Sequence, residues 1–227
     1  MLGRKIKKLK NWLQNRHNLP LFRLRLAEDR QKTALYRAVL ISHELSATGA
    51  PLMLLAAAEA ILADGGSVRV LAYMDGPLRE KFEKLRIPVF YHPGFRDNAR
   101  LLNEFGGDCA YAVANTAVAY PAVSLLKGPR VLWWIHEAQV IEKDYIARFR
   151  QKKFRPDLEQ TLRQAGKLAV VSDYAREIAA KYNPRVEVIH PAVADVAKEQ
   201  GLQPKQPAEK IRFAMLGAVC EIKGQDV

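Results

Sequence analysis

Cysteine is scarce in this sequence, and its apolar runs are short. The chain of 227 residues contains two cysteines, Cys109 and Cys220, which lie far apart. They suggest neither a disulfide framework nor a metal-binding pair, so we expect a protein of a reducing compartment. No apolar run reaches the roughly 18 residues that a membrane-spanning helix needs. The basic N-terminus lacks the apolar core of a secretory signal, which favours a cytoplasmic location.

Several signatures of catalytic sites are also missing. The three spaced glycines of dinucleotide-binding enzymes do not occur, and no lysine stands where a Walker motif would place it. We find no serine hydrolase order of Ser, His and Asp and no convincing pair of carboxylates. Cysteine and histidine have no metal-site spacing, so we expect no metal. The absence of the three spaced glycines disfavours a dehydrogenase of the dinucleotide-binding class.

Positive charge is abundant but concentrated at one end of the chain. The net charge is +12, and residues 1–37 contain eleven Lys or Arg against two acidic residues. Within residues 1–16, leucine and isoleucine recur at helical spacing among lysines, which predicts a basic amphipathic helix. Such a helix can lie on an anionic membrane or pack its leucines on its own domain. Nucleic acid is a weaker third choice, because aromatic residues do not alternate with the basic ones.

From residue 37 onward, short apolar runs alternate with helical segments. This alternation indicates right-handed βαβ units around a parallel sheet. We therefore predict an α/β fold with a Rossmann-like parallel sheet flanked by helices. The predicted strands are RAVLIS, SVRVLAYM, IPVFYH, DCAYAVA, RVLWWIH, KLAVVS and RVEVIH.

Three helix predictions can be compared directly with a structure. The segment GAPLMLLAAAEAILADGG is apolar nearly all round, so we expect it to be largely buried. Pro121 is expected to interrupt a weaker helix in AVAYPAVSLLKG. Ser172 is expected to cap the next helix but one, which Asn183 and Pro184 would end.

Candidate ligand-binding residues follow the predicted strands, because ligands of open α/β sheets bind beyond the carboxyl ends of the strands. Gly49 and Ala50 open a helix whose amides would attract a phosphate, although a glycine at such a turn is often structural. His136 and Glu137 follow an aromatic strand. The histidine can bind a substrate hydroxyl; the alternatives are a buried histidine with its hydrogen bonds satisfied, or a pair that caps a helix.

Two further places carry candidates with a simpler alternative. Asn115 and Thr116 end another strand and could bind a sugar, but capping of the following helix is favoured. Near the end of the chain, Gly217 follows the strand IRFAML and Lys223 precedes a glycine. A lysine beside a glycine turn can neutralise a diphosphate, but taken in isolation such a lysine cannot be distinguished from an ordinary surface lysine.

Four of these stretches, taken in order, resemble retaining glycosyltransferases of the GT4 family, which have the GT-B fold. They are ISHELSATGAPLMLL, WWIHEA, LAVVSDYAREIAAKYNPRVEVIHPAV and FAMLGAVCEIKGQDV, and the resemblance runs from about residue 37 to 227. The third leads to the family's VIxPGV pattern, with Ala192 in place of the glycine. The fourth is similar to its GRxxxxKG turn, with Ala218 in place of the arginine.

The resemblance implies a domain organisation, in which this chain is the N-terminal half of a GT-B enzyme. The expected parts are a basic amphipathic segment (1–36), a Rossmann-like acceptor-side domain (37–192), a linker (193–210), and the first strand and turn of a donor domain (211–227). Because the acidic motif of that donor domain does not occur before Val227, we expect the 227-residue chain alone to be inactive.

The resemblance also implies a reaction, which is sugar transfer from a nucleotide-diphospho-sugar to a glycan or glycolipid hydroxyl in surface polysaccharide synthesis. It gives His136 a contact with the donor sugar and Lys223 a role in stabilising the departing diphosphate. It implies no divalent metal and no cofactor, since the nucleotide-diphospho-sugar is the donor substrate. We expect substrate binding by Gly49, Ala50, Asn115, Glu137 and Gly217.

The expected partners are a nucleotide-sugar donor, a glycan or lipid-linked acceptor, and an anionic membrane surface bound through residues 1–32, with no nucleic acid. The protein would then be cytoplasmic and peripheral on the inner face of the membrane. One alternative is a non-catalytic module that binds the acceptor or the membrane. Another is a nucleic-acid-binding α/β protein, which would need positive charge over the strand-end face.

Overall fold

The fold is a single parallel sheet with helices on its faces, as given by a computed structural model that describes residues 18–142, 155–191 and 201. Within these residues, every strand pair is parallel. The spatial order is β3-β2-β1-β4-β5-β6-β7. The predicted Rossmann-like sheet is confirmed. Its strands are β1 (Arg37–Ser42), β2 (Ser67–Ala72), β3 (Val89–Tyr91), β4 (Tyr111–Asn115), β5 (Arg130–Ile135), β6 (Lys167–Val170) and β7 (Glu187–Val188).

Helices follow most of the strands, as βαβ units require. Two short 3-10 segments, Pro93–Phe95 and Ala117–Ala119, precede helices at strand ends. The helices of the described residues are α1 (18–30), α2 (Gly49–Ala63), α3 (Arg79–Lys84), α4 (Ala99–Gly106), α5 (Tyr120–Leu125), α6 (Ala138–Ile141), α7 (Arg155–Gln164) and α8 (Asp173–Ala179).

The central strand β1 shows why the apolar runs are nearly continuous. Val39 and Ile41 lie in one buried cluster with residues of α1 and α4, whereas Leu40 lies in another with residues of α2 and α3. Parallel strands covered on both faces bury successive residues rather than alternate ones. Consequently all five residues from Ala38 to Ser42 are buried.

Helix α1 packs on this domain, although we expected residues 1–36 to form a separate segment. Phe22 and Leu26 of α1 are buried in the same cluster as Val39. On the outside, Arg23 Nε pairs with Glu104 Oε1 at 2.5 Å. The domain core therefore includes residues that precede the first strand. The predicted basic helix over 1–16 lies outside the described residues.

A buried ion-pair network joins α1 to the sheet. Arg69 of β2 is fully buried, and its Nε donates to Asp29 Oδ2 at 3.0 Å. Its Nη1 donates to Asp108 Oδ1 at 2.7 Å and to the Phe105 carbonyl oxygen at 2.9 Å. Burial acts to raise the pKa of Asp108, but the hydrogen bonds and charges of Arg69 and Arg30 outweigh it and hold this pKa below its ordinary value.

Two of the helix predictions are wrong. In α2 the buried residues are Pro51, Leu54 and Ala58, which form a single stripe, while other apolar positions are exposed or half-buried. Only one side of α2 faces the sheet, so uniform apolar character does not produce uniform burial. Pro121 lies in the first turn of α5 and does not interrupt it. Proline is tolerated there because the first amides of a helix have no intrahelical partner.

The predicted cap of α8 is confirmed, but its end differs from the expectation. Ser172 Oγ accepts a hydrogen bond from the amide of Ala175 at 3.2 Å. The helix ends at Ala179, and the side chain of Asn183 donates to the carbonyl oxygens of Leu162 and Ala165. Asn183 thus anchors the chain to the end of α7.

A boundary between two compact units falls between Pro191 and Ala192. Of the second unit only Gly201 is described. The rest of the predicted linker (193–210) and the predicted strand and turn (211–227) lie outside the described residues. In the ranges that are described, no helix combines the length and the apolar character that crossing a bilayer requires.

Candidate functional site

The carboxyl ends of three neighbouring strands meet at one edge of the sheet. β1 pairs with β4, and β4 pairs with β5, all in parallel. The strand order reverses between β1 and β4, since β2 follows β1 on one side and β5 follows β4 on the other. In open α/β sheets such a reversal leaves a crevice in which ligands bind.

The start of α2 is held at this edge by β4. Gly49 and Ala50 open the helix as predicted, after Thr48, whose side chain makes no capping hydrogen bond. The fully buried Asn115 donates from Nδ2 to the carbonyl oxygen of Ala50 at 3.0 Å. The capping role favoured for Asn115 is therefore wrong, because its side chain joins β4 to α2. Contact of Asn115 with a substrate stays a prediction.

Thr116 adopts a backbone conformation that is unfavourable for a β-branched residue. Its φ is 75°, in the left-handed region. The indole Nε1 of Trp133 donates to the Thr116 carbonyl oxygen at 2.8 Å, and the Thr116 hydroxyl lies 3.2 Å from His43 Nδ1. The side chain makes no capping bond to the following 3-10 segment. Strain held by buried partners is characteristic of functional sites.

Glu137 lies beside this strained residue. Its Oε2 accepts a hydrogen bond from the amide of Ala117 at 3.2 Å. Burial raises the pKa of the Glu137 carboxyl, while the Ala117 amide and the charge of His43 act in the opposite direction. The carboxyl group is thus held in place by the backbone that follows β4.

His136 has a buried ring nitrogen that finds no partner in the part of the protein that the structure describes. Its ring lies 4.6 Å from that of Trp134, centroid to centroid. Burial lowers the pKa of His136 to about 4, so the ring is neutral at pH 7. Within the described residues, Nε2 of His136 and Nε1 of Trp134 are buried and form no hydrogen bond. A neutral imidazole can both donate and accept, which suits recognition of a hydroxyl group.

His43 belongs to this site although the sequence did not single it out. It follows β1 as His136 follows β5, and its Nε2 lies 3.6 Å from Glu44 Oε1. Its position directly after a strand could have identified it, because the rule that ligands bind beyond the carboxyl ends of strands selected His136. The contact of His43 with Thr116 could not be predicted from the sequence, because the two residues are 73 positions apart.

The two candidates near the chain end have no described position relative to this site. Gly217 and Lys223 both lie outside the described residues. Within the described ranges, no group of three or more His, Cys, Asp or Glu side chains is arranged to hold a metal ion.

Substitution by alanine should leave the stability nearly unchanged at one glycine near the site and lower it at another. A methyl group on Gly49 would have no atom within 4 Å, so Gly49→Ala should change the free energy of unfolding by no more than about 0.5 kcal/mol. A methyl group on Gly76 would overlap the Leu45 carbonyl oxygen, which already accepts from the amide of Leu78 at 2.9 Å. Gly76→Ala should therefore cost about 1–3 kcal/mol.

Urea unfolding of the two variants measures this contrast, with each serving as the control for the other. Equal stability of the two variants would contradict the close approach of Gly76 to the loop after β1.

Comparison with solved structures finds proteins of similar fold. A crystal structure of Alr3699/HepE from Anabaena in complex with UDP-glucose has a TM-score of 0.53 and 14% sequence identity, covering 73% of this chain and 49% of that chain. The same protein in complex with UDP has a TM-score of 0.53 and 13% identity, with the same coverage. The chain spans about half the length of these proteins. At sequence identities of 13–14%, this similarity shows a shared fold and nothing about activity.

Sequence comparison shows the family. No curated protein sequence matches the chain significantly. The family model of glycosyl-transferase family 4, however, matches residues 36–194, which is more than half of the 227 residues. The matched range includes β1 to β7 and all of the described site residues. The chain belongs to glycosyltransferase family 4.

Proposed function

We propose that this chain is the acceptor-side half of a retaining glycosyltransferase, which transfers a sugar from a nucleotide-diphospho-sugar to a hydroxyl group of a glycan or glycolipid. The observation that carries this proposal is the neutral His136, whose buried Nε2 has no partner among the described residues, at the carboxyl edge of the sheet. Because the ring is neutral near pH 7, this nitrogen can form a hydrogen bond with a sugar hydroxyl group.

The donor would lie across the start of α2. The first amides of a helix attract anions, so Gly49 and Ala50 would approach the donor diphosphate. Lys223 would stabilise the negative charge that develops as the diphosphate departs, and no divalent metal or cofactor would be needed. The complexes of Alr3699/HepE with UDP-glucose and UDP support a uridine nucleotide as the donor group.

The test compares residues 1–227 with the product of the reading frame as it continues past Val227. Each protein is titrated calorimetrically with UDP and incubated with radiolabelled nucleotide sugars and envelope glycolipids in EDTA. We expect the longer product to transfer label with retention of anomeric configuration, and residues 1–227 to bind UDP weakly and transfer none.

Saturable binding of the glycolipids without transfer by the longer product, or a stop codon directly after Val227, would favour the non-catalytic module. Tight UDP binding by residues 1–227 would contradict the assignment of the donor site mainly to the other half.

Surface polysaccharide synthesis on the inner face of the membrane is part of the proposal, and the N-terminal sequence supports it. Residues 1–16 contain six Lys or Arg, and each basic group near an anionic surface contributes about 1 kcal/mol. By contrast, Arg23 and Arg30 of α1 pair with Glu104 and Asp108 of the domain. We therefore assign the membrane contact to residues 1–17 rather than to the whole of residues 1–32.

Co-sedimentation with vesicles measures this contact. Residues 1–227 should bind vesicles that contain phosphatidylglycerol and should not bind pure phosphatidylcholine vesicles. Equal sedimentation with the two kinds of vesicle would remove the membrane from the proposal.

A further inference from the structure

A cleft of about 460 Å³ lies between the segment after β3, helix α5 and helix α7. It has no part in the site described above, since it contains neither the strand-end histidines nor the start of α2. A volume of this size accommodates a small ligand of two or three rings. Its lining includes Arg96, Asp97, Tyr120, Ser124, Gln160 and Gln164.

The lining is polar but nearly neutral. Arg96 and Asp97 are adjacent and of opposite charge, so together they contribute no net charge. Gln160 and Gln164 are exposed and four residues apart on α7, which places them on one face about one helical turn apart. Each amide offers both donors and an acceptor. Hydroxyl groups of a neutral sugar need that combination, whereas an anionic ligand needs several uncompensated cations.

The cleft also offers apolar surface and a fixed floor. Tyr120 and Pro121 are among the lining residues, and rings of this kind can pack against the C–H groups of a pyranose. The hydroxyl groups of Ser124 and Thr161, which also line the cleft, lie 2.8 Å apart and link α5 to α7. Thr161 is buried, so this link holds the two walls at a set distance.

We infer that the α5–α7 cleft binds a neutral oligosaccharide of two or three residues. This inference rests on the proposed function, because a glycan acceptor is the saccharide that such an enzyme would hold. The cleft would bind a part of the acceptor other than the hydroxyl group that receives the sugar. Gln160 and Gln164 would hydrogen-bond to its hydroxyl groups, and Tyr120 would pack on one ring face.

Saturation-transfer NMR on residues 1–227, without any nucleotide, tests this inference. The probes are neutral trisaccharides of glucose, mannose and galactose, with a trimer of glucuronate as the charged comparison. We expect saturation transfer to at least one neutral trisaccharide and none to the glucuronate trimer. The double variant Gln160→Ala/Gln164→Ala should weaken binding at least tenfold. Both side chains are exposed on a helix, so the fold should be unaffected.

The control variant alters an exposed glutamine outside the cleft. Gln31→Ala removes an exposed amide elsewhere on the surface and should leave binding unchanged. The inference is overturned if no neutral trisaccharide binds, or if the double variant binds as the parent does. Failure of sugar transfer would leave these measurements untouched, since no donor is present.

Discussion

Replacement of Arg69 by methionine should lower the free energy of unfolding by about 3–5 kcal/mol, which is the cost of removing one partner of a buried ion pair. Arg69 is fully buried, and its partner Asp29 is only 3% exposed. The variant would leave the Asp29 carboxylate buried without this cation, and the Phe105 carbonyl oxygen would lose a donor. Because these contacts join α1, β2 and the end of α4, the loss should affect the whole domain.

Urea unfolding followed by circular dichroism measures this effect. Arg176→Met is the matched control, since Arg176 pairs with Asp173 at 2.9 Å on the surface of α8. Exposed ion pairs contribute about 0–1 kcal/mol, so the control should be nearly neutral. Similar losses in the two variants would show that burial does not determine the contribution of Arg69.

The same network predicts a dependence of stability on pH. The pKa of Asp108 is held below its ordinary value of 3.8 in the folded domain. A carboxyl group with a depressed pKa stabilises the fold above its ordinary pKa, and this contribution is lost as the pH falls through the folded value. Stability should therefore decrease below about pH 4, and the decrease should be shallower in Arg69→Met, where the pKa of Asp108 returns toward its ordinary value.

Substitution of His136 by alanine should reduce sugar transfer by the longer reading-frame product about 10²–10³-fold, the range seen when one positioned hydrogen-bonding group at a reacting centre is removed. The loss of stability should be limited to that of the ring contact with Trp134, because Nε2 of His136 has no protein partner in the described residues. His136→Gln retains a neutral donor and acceptor and should recover part of the rate. Since the pKa of His136 is about 4, its ionisation should not affect the rate between pH 5.5 and 7.5.

Initial rates over this pH range, together with urea unfolding, test the role of His136. Glu137→Gln and Glu187→Gln form a matched pair, because Glu187 is exposed in β7 and pairs with Lys167 at 3.1 Å. Loss of rate in Glu137→Gln alone would support the strand-end site. Unchanged transfer in His136→Ala would contradict its contact with the donor sugar.

The strands and their parallel arrangement could be predicted because each strand is a local apolar run followed by a helical segment. The cap at Ser172 was likewise local, since its partner is the amide three residues ahead. Arg69 was not foreseen, because a single arginine in SVRVLAYM gives no sign of a carboxylate 40 residues earlier in the chain. Buried ion pairs are set by tertiary packing, which local patterns do not encode.

The candidate site shows the same division between local and distant contacts. The positions of His136 and Glu137 after β5 follow from the strand itself. Capping by Asn115 and Thr116 was a local expectation, and it failed because Thr116 has a positive φ and Asn115 reaches Ala50, 65 residues away. The half-exposed state of α2 has a similar reason, because only packing decides which apolar side of a helix is covered.

The central position of β1 has a consequence for synthesis on the ribosome. β1 leaves the ribosome early, yet one of its two neighbours, β4, begins only at Tyr111. At about 5–20 residues per second, the hydrogen-bonding edge of β1 therefore stays open for several seconds. During that time Val39, Leu40 and Ile41 form an apolar strand that can pair with another nascent chain. Slowed translation before residue 111 should increase aggregation, whereas a similar delay after β4 should not.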